Sequence, residues 1–248
     1  MTPSAERWLR LATALTAADG VELTVAGMCV AGADVLLVAG ASIVLMGIGG
    51  ETGSTYASAS GVEALEELQF TLGLGPGADA YRWGVPVIET RLVVAAPLRW
   101  TGFVGPALEA GMGAVFSFPL QVGAARIGAF TLYQDRPGPL GDELYADAVV
   151  LAGIVTGAVL AMQAGASDGG LASGLANGGV YHAEVHQASG IVSVQLDIGV
   201  GEALVRLRAR AFAEGRTVAE VAVDIVSRHL HLDPWASRTP RGPTNRPV

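Results

Sequence analysis

The sequence predicts an α+β domain built on an antiparallel sheet, followed by a small all-α unit of three helices. Three observations predict this. Helical and strand patterns alternate up to residue 163, and two strand patterns flank Gly123 in the way that the arms of a hairpin flank its turn. Beyond residue 179, apolar residues recur at helical spacing only.

The first half of the α+β domain begins with helices. Small and apolar residues recur at helical spacing on both sides of Asp19-Gly20, a dipeptide that favours a turn. Two β-rich stretches around a Gly-rich turn come next, and an acidic helical pattern follows them. The predicted elements are helices over 3–18 and 21–32, strands over 40–50 and 52–59, and a helix over 61–70.

The second half begins with an irregular stretch. Residues 71–84 carry several glycines and a proline that interrupt any periodicity, so a loop is predicted there. A short strand over 85–89 and a loop-helix segment that ends near Gly111 follow. The hairpin strands cover 114–122 and 125–133, and a long apolar helix over 142–163 closes the domain.

The remaining third divides into a linker, three helices and a tail. Residues 164–179 are rich in Gly, Ser and Ala, which predicts a linker or a frayed continuation of the helix. Three amphipathic patterns occupy 180–232, and Thr217 with Glu220 forms a capping-box signature at the start of the third. The Pro- and Arg-rich residues 233–248 predict a disordered tail.

Charge differs between the two parts of the chain. The net charge is −8, and all 15 basic residues are arginines. Residues 1–179 hold 7 arginines and 16 acids, whereas residues 180–248 hold 8 arginines and 7 acids. The first part is therefore a poor nucleic-acid ligand, and the second is the better candidate.

Composition also indicates a cytoplasmic protein. The single cysteine, Cys29, excludes an internal disulfide framework, and charged residues near the start interrupt any secretory signal. The uncharged stretch 148–167 is rich in Gly and Ala and lacks basic flanks, which favours a buried helix over a membrane span.

Residues 186–232 carry a resemblance to a known family. The segments "HQASGI", "GEALVRLR" and "AEVAVDIV" follow one another in the order found in the ANTAR domain, a three-helix RNA-binding module of bacterial transcription antitermination regulators. That resemblance implies that residues 180–232 bind paired hairpins in nascent transcripts, where binding disfavours a competing terminator hairpin. It implies no catalysis.

Residues 1–163 resemble a GAF sensor domain of the actinobacterial type. The segments "LQFTLGLGPGADAYRWGVPVIE" and "FSFPLQVGAARIGAFTLYQDRPGPL" stand in family order. The resemblance implies an antiparallel sheet of about six strands flanked by helices, with a small-molecule pocket above it in many members. Where relatives have Gly-Glu-Gly-Pro-Cys, this chain has Gly73 to Gly77 without the acid or the thiol, so the resemblance does not imply a ligand or redox role that depends on those two side chains.

The sequence offers seven candidate RNA-binding residues, and each of them has an alternative structural role. Small residues on the first helix of the unit could let RNA approach the backbone, or they could serve tight helix packing. Arg206 and Arg210 share a helical face and could contact phosphates, or they could be solvated. The candidates are Gln187, Ala188, Ser189, Gly190, Arg206, Arg210 and Arg216.

The ligand-binding candidates are aromatic, because small-molecule pockets are mostly apolar, although core packing is the alternative role. They are Trp83, Trp100, Phe103, Phe116, Phe118 and Phe130. No metal site is predicted, since His229 and His231 lie two apart without further ligands. No cofactor is predicted, and no nucleophile-base pair or cysteine pair supports an enzyme.

The predicted function is therefore an RNA-binding antitermination regulator controlled by a sensor domain. A homodimer through the 142–163 helix, where Gly153 and Gly157 permit close contact, would present two RNA-binding units together. The alternatives are a protein-protein adaptor, for which exposed apolar residues on the second and third helices would be diagnostic, a ligand sensor without RNA binding, and a GAF-fold enzyme.

Overall fold

A computed structural model describes residues 3–16, 24–47, 52–95, 99–165 and 180–232. The chain divides into two compact units, Met1–His182 and Ala183–Val248. The predicted linker beyond residue 165 and the predicted tail at 233–248 lie outside the described residues.

The first unit contains a six-stranded antiparallel sheet, in agreement with the predicted α+β class. The strand order is β3-β4-β5-β1-β2-β6. The strands are β1 (Gly40–Met46), β2 (Thr52–Ala57), β3 (Val87–Glu89), β4 (Ala114–Val122), β5 (Ala125–Gln134) and β6 (Val180–Tyr181). The predicted hairpin is β4-β5, and Gly123 at its turn has φ 57°, a conformation that glycine adopts without steric cost.

Seven helices flank this sheet in the described part of the unit. They are α1 (Pro3–Thr16), α2 (Val25–Val35), α3 (Ser60–Leu72), α4 (Pro76–Trp83), α5 (Leu92–Ala95), α6 (Val104–Glu109) and α7 (Asp142–Gly165). Helix α2 starts because the hydroxyl of Thr24 accepts a hydrogen bond from Gly27 N at 3.0 Å.

Helix α4 lies where a loop was predicted, so that prediction was wrong. Pro76 occupies the first helical position, where its missing N–H costs nothing, and Gly84 ends the helix at φ 68°. The glycines and the proline that interrupt the pattern therefore mark the ends of a short helix.

Two apolar clusters cover the two faces of the sheet, because alternate residues of a strand point to opposite faces. In β4, Phe116 belongs to the first cluster, which includes α1, α2 and α7. Its neighbour Val115 belongs to the second cluster, which includes residues of α3, α4, α5 and α6.

Helix α7 is the one described helix that is both long and apolar enough to cross a membrane, over Asp142–Ala164. One side of it is packed in the first cluster, where Leu151, Val155 and Val159 are fully buried. This packing agrees with the predicted role of a core helix.

The second unit contains α8 (Ala183–Leu196), α9 (Val200–Glu214) and α10 (Val218–Val226). Helices α8 and α9 meet at 106°, and Asp197 between them has φ 53°. The predicted capping box at Thr217 is confirmed by reciprocal hydrogen bonds with Glu220. The three helices bury Val185, Ala188, Val192, Ala203, Leu204, Leu207, Ala211, Val218, Val221, Ala222 and Ile225.

Candidate functional sites

The four small or polar candidates on α8 do not share one surface. Gln187 is exposed and Gly190 is half-buried, and a Cβ added at Gly190 would meet no atom within 4 Å. Ala188 and Ser189 are only 0% and 2% exposed, and the Ser189 hydroxyl donates to Val185 O at 2.7 Å. The prediction that Ala188 and Ser189 face RNA is therefore corrected: both face the interior, where small size permits close packing.

Arg206 and Arg210 each form an ion pair with an acid one turn away on α9. Arg206 donates to Glu202 at 3.0 Å, and Arg210 donates to Glu214 at 2.5 Å. Both guanidinium groups are nearly half exposed, so they remain accessible from solvent.

Arg216 is held more firmly than the other two arginines. It donates to Asp224 at 2.8 Å, to the backbone oxygen of Glu220 at 3.1 Å and to Glu214 at 3.3 Å. The hydrogen bond with Asp224 raises the pKa of Arg216. Its immediate role is to join the α9-α10 turn to α10.

Several large apolar side chains are exposed in the second unit. Val205 and Phe212 on α9 are 60% and 66% exposed, and they are seven positions apart in sequence, which puts them on one side of the helix. Val223 on α10 and Val194 on α8 are exposed as well. The diagnostic feature of the adaptor alternative is thus present.

The six aromatic candidates of the first unit do not line one cavity. Phe116, Phe118 and Phe130 are buried in the first cluster, on one face of the sheet. Trp100 and Phe103 belong to the second cluster, on the other face. Trp83 is 52% exposed. The prediction of a shared aromatic pocket is therefore wrong, and core packing accounts for the five buried rings.

A buried polar network, which the sequence analysis missed, lies between α3 and the sheet. The carboxylate of Glu66 accepts hydrogen bonds from Ser42 Oγ at 2.6 Å, Tyr133 OH at 2.7 Å and Gln69 Nε2 at 2.9 Å. Gln69 Nε2 also donates to Tyr133 OH at 2.8 Å, and its Oε1 accepts from Gly77 N at 3.1 Å. Each oxygen of the buried carboxylate thus has a donor.

Burial dominates the titration behaviour of this network. It raises the pKa of Glu66, although the three hydrogen bonds oppose that shift. Burial, followed by the charge of Glu66, raises the pKa of Tyr133 well above its ordinary value. The network therefore holds an acid whose ionised form is costly.

The loop at Gly73 to Gly77 closes over this network. Gly75 has φ 152°, and a Cβ at that position would lie 2.1 Å from Gln69 Oε1. A Cβ at Gly77 would lie 3.3 Å from Thr131 Oγ1. The absence of side chains at Gly75 and Gly77 therefore lets the loop pack directly on Gln69 and on the sheet.

One sequence signal could have revealed the network. Ser42, Ser117 and Thr131 interrupt otherwise apolar strands at positions that point to the face covered by α3 and α4. Ser117 Oγ and Thr131 Oγ1 lie 2.7 Å apart and hydrogen-bond to each other. Polar residues at inward positions of a strand indicate a buried polar site.

Cysteine and histidine do not form a metal centre in the described residues, where no group of three or more His, Cys, Asp or Glu side chains converges. Cys29 is fully buried, and burial raises the pKa of its thiol. His182 is buried and stacks on Phe70 with ring centroids 3.7 Å apart.

The outer side of α7 is small and apolar. Val149 and Leu160 are exposed, and so are Gly153 and Gly157, where an added Cβ would meet no atom within 4 Å. Spacings of three and four residues place these positions in one stripe.

No family model matches this sequence, and no curated protein matches it. Two solved GAF domains are similar to part of the chain. The GAF domain of a phosphoenolpyruvate-protein phosphotransferase from Coxiella burnetii has 14% identity and a TM-score of 0.49, and the match covers 64% of this chain and 96% of that one. The GAF domain of the Acinetobacter phosphoenolpyruvate-protein phosphotransferase has 13% identity and a TM-score of 0.48, with coverage of 68% and 99%.

Proposed function

We propose that this chain is an RNA-binding regulator of transcription antitermination, in which the Met1–His182 unit is a sensor and α8 to α10 bind paired hairpins in a nascent transcript. The observation that carries the proposal is the outer face of α8, where Gln187 and Gly190 lie one turn apart and accessible. The resemblance of residues 186–232 to the ANTAR domain supports it.

The physical basis is a close approach of RNA to a helix. At Gly190 the outer face carries no side chain, so a sugar or base can contact the backbone, and Gln187 can donate and accept hydrogen bonds beside it. Ala188 and Ser189 contribute indirectly, because their burial orients this face.

Phosphate contacts are assigned to Arg206 and Arg210. Their carboxylate partners, Glu202 and Glu214, are 53% and 27% exposed, and such surface pairs are worth about 0.2–1 kcal/mol, so a phosphate can replace the carboxylate at small cost. Arg216 has three internal acceptors, which makes its phosphate contact the weakest part of the proposed surface.

Charge predicts that a single RNA-binding unit binds weakly. Residues 183–232 hold five arginines and six acids, a net charge of −1, and affinity for RNA grows with the number of neutralised phosphates. We therefore include a homodimer in the proposal. The stripe of Val149, Gly153, Gly157 and Leu160 on α7 would join two copies, so that two hairpins are bound at once.

The test is a titration of the full chain with a fluorescently labelled two-hairpin RNA at about 50 mM and about 200 mM salt. We expect saturable binding that weakens at the higher salt. Gly190→Leu should weaken binding by about tenfold or more, because the side chain blocks close approach. Gly201→Leu is the matched control, since Gly201 is also a helical glycine at which an added Cβ would meet no atom within 4 Å.

Two results would reject the proposal. One is a lack of binding to the paired RNA at low salt. The other is an equal loss of affinity in the Gly190 and Gly201 variants, which would show that the outer face of α8 is not the contact surface.

A second candidate function, docking of a protein partner, is favoured by the exposed Val205 and Phe212 on α9. Exposed apolar residues on one helix face are typical of a protein interface. If Phe212→Ser abolishes regulation in cells while RNA affinity is unchanged, this function replaces the first.

A further inference from the structure

Two arginines and one tryptophan contact one carboxylate in the first unit, and a second tryptophan lies beside one of the arginines. The Asp79 side chain is only 10% exposed, and its Oδ2 accepts a hydrogen bond from Trp100 Nε1 at 2.8 Å. Arg82 donates to Oδ1 at 3.3 Å, and Arg99 donates to Oδ2 at 3.4 Å. Asp79 is thus anchored by Trp100 and only loosely bound by the two guanidinium groups.

The Arg99 guanidinium is held by aromatic rings. Its central carbon lies 4.2 Å from the ring centroid of Trp100 and 5.6 Å from that of Trp83, both within cation-π range. Trp100 has φ 50°, a left-handed conformation that is costly for a large residue. The hydrogen bond to Asp79 helps to hold Trp100, and thereby Arg99, in this arrangement.

The charges of this cluster are not balanced. Two guanidinium groups face one carboxylate, which leaves one excess positive charge in a chain whose net charge is −8. Each guanidinium carries five N–H donors, and in the described part of the chain each makes one long hydrogen bond, to Asp79. Charge-assisted bonds are normally near 2.8 Å, so both groups can form better bonds with a second anion.

We propose that Arg82 and Arg99 form a receptor for the phosphate or carboxylate group of a small molecule, with the exposed ring of Trp83 as the platform for a flat apolar part of the same ligand. An oxyanion between the two guanidinium groups would offset their excess charge and accept in-plane hydrogen bonds from the stacked Arg99. The 52% exposed Trp83 lies beside Arg82 in sequence and near Arg99 in space, which places an open aromatic face next to the anion.

The side-chain hydrogen bonds described for Asp79, Arg82 and Arg99 do not involve the Glu66 network, and the receptor does not require RNA binding by the other unit. It gives the sensor unit an input at its surface, where small-molecule access needs no opening of the core. If the chain does not bind RNA, the proposed anion site is unaffected. If the chain does not bind anions at Arg82 and Arg99, the proposed RNA binding is unaffected.

The experiment follows the indole N–H signals of the four tryptophans by NMR in the full chain, with Trp83→Phe used to assign one of them. The probes are inorganic phosphate, phenyl phosphate, acetate and benzoate at constant ionic strength. We expect saturable shifts of the Trp83 and Trp100 signals, and tighter binding of each aromatic probe than of its simple counterpart. Comparison of the affinities for the two phosphate probes with those for the two carboxylate probes identifies the preferred oxyanion.

Substitutions of single arginines distinguish binding at this site from non-specific attraction of anions to positive charge. Arg99→Gln should weaken binding by about tenfold or more, and Arg82→Gln, which alters a more exposed side chain, provides the same test if Arg99→Gln unfolds. Arg136→Gln is the control, because it removes the same charge from an exposed position outside the cluster. Trp83→Leu should weaken binding of phenyl phosphate by a larger factor than binding of inorganic phosphate, because only the aromatic probe uses the ring as a platform.

Two results would overturn the proposal. The first is the absence of saturable shifts with any probe up to about 20 mM, a concentration at which even millimolar affinity is visible. The second is an equal effect of Arg136→Gln and Arg99→Gln, which would indicate non-specific attraction of anions to the unit.

Discussion

Replacement of Gln69 by leucine tests whether the buried network stabilises the first unit. Gln69 is buried and makes three hydrogen bonds, with Glu66 Oε2 at 2.9 Å, Tyr133 OH at 2.8 Å and Gly77 N at 3.1 Å. Leucine has a similar volume but no polar atoms. The substitution therefore removes the bonds while it leaves no large cavity.

The expected loss of stability in Gln69→Leu follows from the buried polar groups that lose a hydrogen-bond partner. Glu66 Oε2 and Gly77 N would each stay buried without the partner they have now, at about 1–3 kcal/mol per group, and more for the charged one. The added apolar burial of leucine recovers about 1–2 kcal/mol. We expect the free energy of unfolding to fall by about 3 kcal/mol in Gln69→Leu.

The measurement is urea denaturation of the full chain followed by circular dichroism and by tryptophan fluorescence. Tyr133→Phe serves as the graded comparison, because it removes one donated and one accepted hydrogen bond and should cost about 1–2 kcal/mol. The double variant should cost less than the sum of the two single variants, since Gln69 and Tyr133 share a hydrogen bond. Stability of Gln69→Leu equal to that of the wild type would refute the reasoning and would indicate that water already reaches these groups.

Two further predictions concern pH and assembly. Because burial raises the pKa of Glu66 in the folded protein, the folded state binds the proton more tightly than the unfolded chain, and the free energy of unfolding should fall as pH rises from the ordinary carboxyl pKa through the raised one. Glu66→Gln removes this titration, so in urea titrations the free energy of unfolding of the wild type should fall relative to that of the variant over this pH range. A difference in the free energy of unfolding that does not change with pH would contradict the raised pKa of Glu66. Val149→Arg, on the outer stripe of α7, should convert a dimer to a monomer in light scattering and weaken RNA binding, whereas Val122→Arg, an equal change at another exposed valine, should do neither. A wild-type monomer, or a Val149→Arg dimer, would contradict the proposed interface.

The local sequence pattern correctly predicted those elements whose formation depends mainly on residues within the element. The hairpin around Gly123, the apolar stripes of α9 and α10 and the capping box at Thr217 were all predicted and are all present. Helix α4 was missed because glycines and a proline at its ends resemble a loop when their positions relative to Pro76 and Gly84 are unknown.

The candidate sites were harder to predict, since burial depends on distant parts of the chain. Ala188 and Ser189 could have lain on either side of α8, and the packing of α9 and α10 against α8 decided that both face inward. For the same reason the six aromatic candidates were grouped by residue type, whereas the sheet divides five of them between its two faces.

The amino-acid sequence by itself determined the α+β class, the three helices within residues 180–232 and the charge difference between the two parts, because periodicity, capping residues and charge are properties of neighbouring residues. Tertiary structure alone decided that Gln69 and Tyr133, 64 residues apart, share a hydrogen bond, and that Arg99 reaches Asp79 across 20 residues. Such contacts form only when the chain closes long loops, and no local pattern records which closures occur.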